Sequence, residues 1–106
     1  MPWVWLIIAG ILEIAWAVGL KYTDGFSKLW PTVVTVTLML GSFWCLAQAV
    51  KALPLGTSYA IWTGIGAVGT AVAGIVLFKE PATAARLVCI VLIVAGIAGL
   101  KLTLKG

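Results

Sequence analysis

Of the seven basic and three acidic side chains in this sequence, only Glu13 sits deep inside an apolar run. It lies about two residues from the middle of Trp3–Leu20, or about 3 Å at the helical rise. Insertion scales put a charge at the centre of a spanning helix at about 2.5–3.5 kcal/mol, and such residues face a protein interior or a wet cavity. Desolvation penalises the anion, and a second copy of the same glutamate nearby would penalise it further. The chemistry implied is exchange of a proton for another cation. The plainer alternative is a structural carboxyl, protonated and hydrogen-bonded.

At 100° per residue the face of Glu13 carries Leu6, Ala9, Gly10, Trp16, Ala17 and Leu20. Ala9, Gly10 and Ala17 are small and leave room beside the carboxylate or admit a second helix. Trp16 is far from either membrane interface, so it either packs or walls a cation site. A ring face beside a carboxylate attracts a cation through its quadrupole as well as through charge. Tyr59 and Trp62 repeat this chemistry at i, i+3, with Thr63 and Gly66 beside them. The Tyr59 hydroxyl is able to donate to a carboxylate. Gly64, Gly66 and Gly69 mark close helix packing or a hinge. Ser42 either bonds back to its own helix or orients Glu13.

The elements that must position these groups follow from composition. The chain has 106 residues, 63% hydrophobic and 9% charged, with a mean hydropathy of +1.20. Ordinary soluble domains carry about 45–50% apolar and about 25% charged residues. A water-exposed surface cannot be made from so few charges, and disordered chains are poor in apolar residues. The basic residues are spread singly, which argues against nucleic acid as a partner. With no histidine and two cysteines inside apolar runs, Cys45 and Cys89, no metal site or cofactor is expected. The absence of an intramembrane nucleophile with an adjacent base argues against an enzyme.

A spanning helix needs roughly 20 mostly apolar residues. Four stretches qualify, at about 3–20, 32–50, 58–78 and 84–104, forming one all-α transmembrane domain over residues 1–106. Lys21–Pro31 and Lys51–Thr57 supply turns, and Lys101 is placed to snorkel to the headgroups. Trp3, Trp5 and Trp30 suit the interface. Trp3–Leu20 reads as a span rather than a secretory signal, because Glu13 interrupts it.

An even number of spans puts both termini on one side. Lys51, Lys101 and Lys105 then oppose Lys21, Lys28, Lys79 and Arg86. Three against four sets almost no orientation, so two copies inserted oppositely could pair as an antiparallel homodimer. Four short helices also enclose too little space for a solute pathway. No internal repeat is evident, so inverted symmetry would come from two copies.

Glu13 in the first of four short helices, WAVGLKYTDGF at Trp16–Phe26 and LPLGTSYAIWTGIGAVG at Leu53–Gly69 together resemble the small multidrug resistance family over essentially the whole chain. The two segments are most similar to its guanidinium exporter branch. The resemblance implies an antiparallel dimer in the cell membrane that exchanges protons for cations at the first-helix glutamate, here Glu13. It implies that Trp16, Tyr59 and Trp62 line the site and that Ser42 helps hold the carboxylate. Gly10 would be the close-packed neighbour of Glu13, Gly64–Gly69 the place where the third helix bends, and the fourth helix the main dimer contact. Met39 and Ser42 belong to the second helix, with Trp44 an aromatic of open direction, and the effect of Trp44 and Cys45 on the pocket is open too.

The chemistry of the residues agrees with that branch. Guanidinium is planar, weakly hydrated and matches a carboxylate with paired N–H donors. A quaternary ammonium has no N–H and would leave the hydroxyls of Ser42 and Tyr59 unused. The expected function is proton-coupled export of guanidinium and small guanidinyl cations by alternating access. A broad quaternary ammonium exporter, or a channel or scaffold in which Glu13 locks helices together, stands as the alternative.

Overall fold

The computed structural model describes residues 2–103. They form four helices, α1 (Pro2–Tyr22), α2 (Leu29–Ala49), α3 (Leu55–Phe78) and α4 (Ala84–Thr103), with no strand among the described residues. At about 1.5 Å per residue, helices of 20 to 24 residues reach across a hydrocarbon core of about 30 Å. All four are long and apolar enough to cross a membrane. Leu104 and Lys105, used above for the last helix end and the charge count, lie outside the described residues.

Two helix starts differ from the expected ones. α2 begins at Leu29 rather than Thr32, so Pro31 is inside its first turn. Proline is tolerated there because the first-turn N–H groups have no intrahelical acceptor. α3 begins at Leu55 rather than Ser58. Pro54 stands just before it at φ −58°, ψ 140°, and its carbonyl accepts from the Ser58 N–H at 2.9 Å. In both cases proline opens the helix instead of standing apart from it.

The α1–α2 connection is organised by Thr23, which is buried. Its Oγ1 donates to the Leu20 carbonyl at 2.8 Å and accepts from the Phe26 N–H at 3.2 Å. The chain then turns through positive φ at Asp24, Gly25 and Phe26. At the end of α3, Lys79 adopts the left-handed conformation (φ 55°, ψ 35°). The Glu80 N–H there returns to the Gly74 carbonyl at 3.2 Å, a closure that satisfies an otherwise orphaned carbonyl.

α1 is the central helix, packed on α2 and on α3, while α4 packs along α3. The buried core joins Leu6 and Ala9 of α1, Cys45 and Ala49 of α2, and Ile61 and Trp62 of α3. α4 contributes no buried residue, and Leu87, Val88, Val91 and Leu92 are exposed. The assembly measures 45 × 35 × 16 Å. Its thin dimension is little more than the diameter of one helix with side chains, about 10–12 Å. A slab of this thickness has only a narrow core, so half-buried Glu13 lies near a face. Lys101 of α4 stands 5.3 Å from the Trp3 ring centroid, joining a snorkelling cation to an interfacial indole.

Candidate functional site

The α1–α3 contact is built from glycines facing larger side chains. A Cβ on Gly10 would come within 2.6 Å of Ile65 Cγ2. On Gly69 it would overlap Ile14, and on Gly66 it would overlap the Glu13 carboxyl. Each glycine therefore receives the side chain opposite, letting the helix backbones approach closely. Gly64 faces the other way, where a Cβ would stand 2.7 Å from Ile97 Cδ1 of α4. α3 runs as one uninterrupted helix through Gly64, Gly66 and Gly69. Across from Gly10 the close neighbour is Ile65, and the glycine that seats Glu13 is Gly66.

Glu13 is half-buried, and its Oε1 is fully covered with no hydrogen-bond partner among the described residues. Buried carboxylate oxygens are normally satisfied. One left open in a glycine-lined seat is an acceptor available to a donor from outside the chain.

Ser42 is completely buried. Its hydroxyl donates to the Ala9 carbonyl at 2.7 Å and accepts from the Trp62 indole N–H at 3.0 Å. Ser42 therefore does not bond back to its own helix, and it makes no direct bond to the Glu13 carboxylate among the described residues. The reason is reach. In an α-helix the Ala9 carbonyl is the acceptor for the Glu13 N–H, so Ser42 bears on Glu13 through the turn preceding it. That single hydroxyl ties α1, α2 and α3 together.

One turn from Glu13 on α1 and from its Gly66 seat on α3, the aromatic residues Trp16 and Trp62 belong to a row across three helices. Trp16 meets Phe43 edge-on, with centroids 6.3 Å apart. Phe43 meets Trp62 at 5.8 Å, and Trp62 meets Tyr59 at 5.6 Å. The Trp16 indole N–H is buried with no partner among the described residues. Tyr59 is 56% exposed, Phe43 44% and Trp62 only 7%, so the row alternates between covered and exposed rings and ends at an open face with Tyr59. Tyr59 makes no hydrogen bond to Glu13 among the described residues. Phe43 was not singled out from sequence; its adjacency to Ser42 is the signal that would have found it. Trp44 points elsewhere, edge-on to Trp5 at 5.2 Å. Cys45 is buried in the core and Cys89 is exposed, both as free thiols.

This arrangement provides a carboxylate acceptor, ring faces and unpartnered polar atoms in a low-dielectric seat, which suits a small cation with N–H donors. It holds no three His, Cys, Asp or Glu side chains together among the described residues.

Comparison with known proteins agrees with this architecture. The Small Multidrug Resistance protein family matches residues 1–93. The chain is 61% identical over 103 residues to the guanidinium exporter of Escherichia coli (strain K12), covering 97% of this chain and 98% of that protein. It is 60% identical over 103 residues to the guanidinium exporter of Salmonella typhimurium, with the same coverage. To that of Yersinia pestis it is 58% identical over 102 residues, covering 96% of this chain and 98% of the relative. With four helices of spanning length and a family match over most of its residues, the chain belongs to the small multidrug resistance family of multi-pass inner-membrane proteins.

Proposed function

We propose that this protein is an antiporter that exports guanidinium and small guanidinyl cations in exchange for protons, by alternating access. The observation that carries the reading is the covered, unpartnered Oε1 of Glu13, seated on Gly66 beside the aromatic row. Guanidinium offers this oxygen in-plane N–H donors and offers the rings a flat, weakly hydrated cation. The names of the relatives support the same substrate. Coupling follows from competition: a carboxyl that holds a proton cannot also hold the cation as its counter-ion. A proton gradient then drives the cation the opposite way as access alternates.

The working unit in this reading is an antiparallel homodimer of single four-helix domains. A chain only 16 Å thick leaves Tyr59 half-exposed, so a second copy is needed to close the site. The unburied α4 supports a contact between copies, and the near balance of basic residues supports opposed insertion. Glu13, Trp16, Tyr59 and Trp62 line the site, Ser42 positions Glu13 through Ala9, and Gly64–Gly69 allows α3 to bend when access alternates.

The deciding experiment is guanidinium exchange in proteoliposomes under an imposed pH gradient. Concentrative, gradient-driven movement of guanidinium is expected, and Glu13→Gln should reduce it to background. Passive flux unaffected by pH would make the protein a channel. Preference for a bulky aromatic quaternary ammonium would replace the substrate assignment.

A further inference from the structure

A cleft of ≈ 370 Å³ lies between α1 and α3. Ala17, Lys21, Thr70, Gly74, Phe78 and Glu80 line it. Ala17 is one turn beyond Glu13 on α1, and Thr70 is one turn beyond Gly66 on α3. The cleft therefore starts where the Glu13 seat ends and runs toward the loop that joins α3 to α4.

Ser58, Trp62, Gly66, Thr70 and Gly74 recur at i+4 spacing along a stripe that winds around α3 by about 40° per step. Gly66 seats the Glu13 carboxyl. Gly74 seats that of Glu80, whose Cδ would lie 2.8 Å from a Cβ on that glycine. The two seats are about 12 Å apart along the axis at the helical rise. Between them, Thr70 Oγ1 is buried with no partner among the described residues. Two carboxylates thus bracket one cleft, each on a glycine of the same stripe, with an open hydroxyl midway.

What occupies the outer carboxylate is informative. Arg86 Nη2 donates to Glu80 Oε1 at 3.3 Å, and Arg86 Nη1 donates to the Pro81 carbonyl at 2.8 Å. At the same mouth the Lys21 ammonium stands 5.4 Å from the Phe78 ring centroid. The chain's own guanidinium rests on the carboxylate, and its own ammonium rests on the ring.

We propose that this cleft is the loop-side access route to Glu13, and that Glu80 is an outer station for a guanidinium-type cation, held in the resting chain by Arg86. The proposal rests on the guanidinium reading of the Glu13 site. An incoming guanidinium presents the same planar donors as Arg86 and replaces it on Glu80 Oε1 and the Pro81 carbonyl. It then passes Thr70 on its way to Glu13. The side chains of the pair are 36% and 41% exposed, and a pair so exposed is weak enough to exchange readily. With Lys21 and Arg86 both set against Glu80, the mouth carries a net positive charge, so it selects by matching donors to acceptors rather than by a net field.

The test is initial-rate guanidinium exchange in proteoliposomes of the full chain. Glu80→Gln should raise KM about three- to fivefold, the range set by a partly exposed ion pair, with kcat held. Glu80→Asp should restore much of the affinity. Arg86→Gln should lower KM, because the internal competitor is gone. An unchanged KM in both Glu80→Gln and Arg86→Gln, while Glu13→Gln still abolishes exchange, overturns the station and leaves the Glu13 reading standing. A KM raised in both makes the pair a structural strap and also overturns it. Failure of the unmodified protein to exchange guanidinium overturns the export reading and the station with it.

Discussion

The Trp62 indole N–H donates to Ser42 Oγ at 3.0 Å, and the same hydroxyl donates to the Ala9 carbonyl at 2.7 Å. One buried side chain therefore links the aromatic wall on α3 to the turn of α1 that precedes Glu13. A hydroxyl used as donor and acceptor at once has little freedom left, so the indole and the carboxylate-bearing turn are held in fixed relation.

Ser42→Ala should destabilise the protein by about 1–3 kcal/mol, because it strands the buried Trp62 N–H. Thermal unfolding in detergent reads this directly. Since Ser42 does not touch the Glu13 carboxyl, exchange should weaken through loss of affinity while proton coupling persists. An unchanged unfolding temperature would mean the link contributes nothing.

Gly66→Ala should be among the most damaging single changes to transport. The new Cβ would overlap the Glu13 carboxyl itself, and neither helix backbone gives way easily in a close-packed pair. A loss of at least about tenfold in kcat/KM is expected, equivalent to displacing the charge by about 1.4 kcal/mol of transition-state stabilisation. Gly41→Ala serves as the control, because its Cβ would meet only Leu12 Cδ1 at 3.6 Å, and it should leave exchange intact.

Phe43 and Trp44 are neighbours in sequence with separate contacts. Phe43→Ala interrupts the row between Trp16 and Trp62, and KM should rise up to about tenfold, the upper end of an aromatic pair's contribution. Trp44→Ala removes the edge contact to Trp5, away from the row, so thermal stability should fall while KM holds. Equal effects of the two on KM would contradict the division seen in the fold.

A C-terminal tag on the full chain should be accessible from both faces of the membrane, in comparable amounts. Labelling with an impermeant reagent before and after opening the vesicles measures this. A tag reached from a single face would remove the antiparallel dimer from the proposed mechanism.

The number of helices and the one carboxylate inside a spanning helix are legible in the linear order. Charges are so scarce that they mark the helix ends, and Glu13 is conspicuous as the exception. Pro31 marks the start of α2 in sequence, but the exact first residues of α2 and α3 are not legible there, because a proline in a first turn and a proline in the preceding loop look alike.

Which residues meet across helices was decided by the tertiary structure. In a helix apolar all round, hydrophobicity does not mark the packed face, so neither Phe43 nor the direction of Trp44 could be assigned in advance. The pairing of Gly66 with Glu13, of Gly74 with Glu80, and the Ser42 link to Ala9 depend on how closely and in what register α1, α2 and α3 approach. The residue pattern alone placed a lone carboxylate in a membrane. Packing gave it a glycine seat at Gly66, because only close contact fixes which small residue faces which large one.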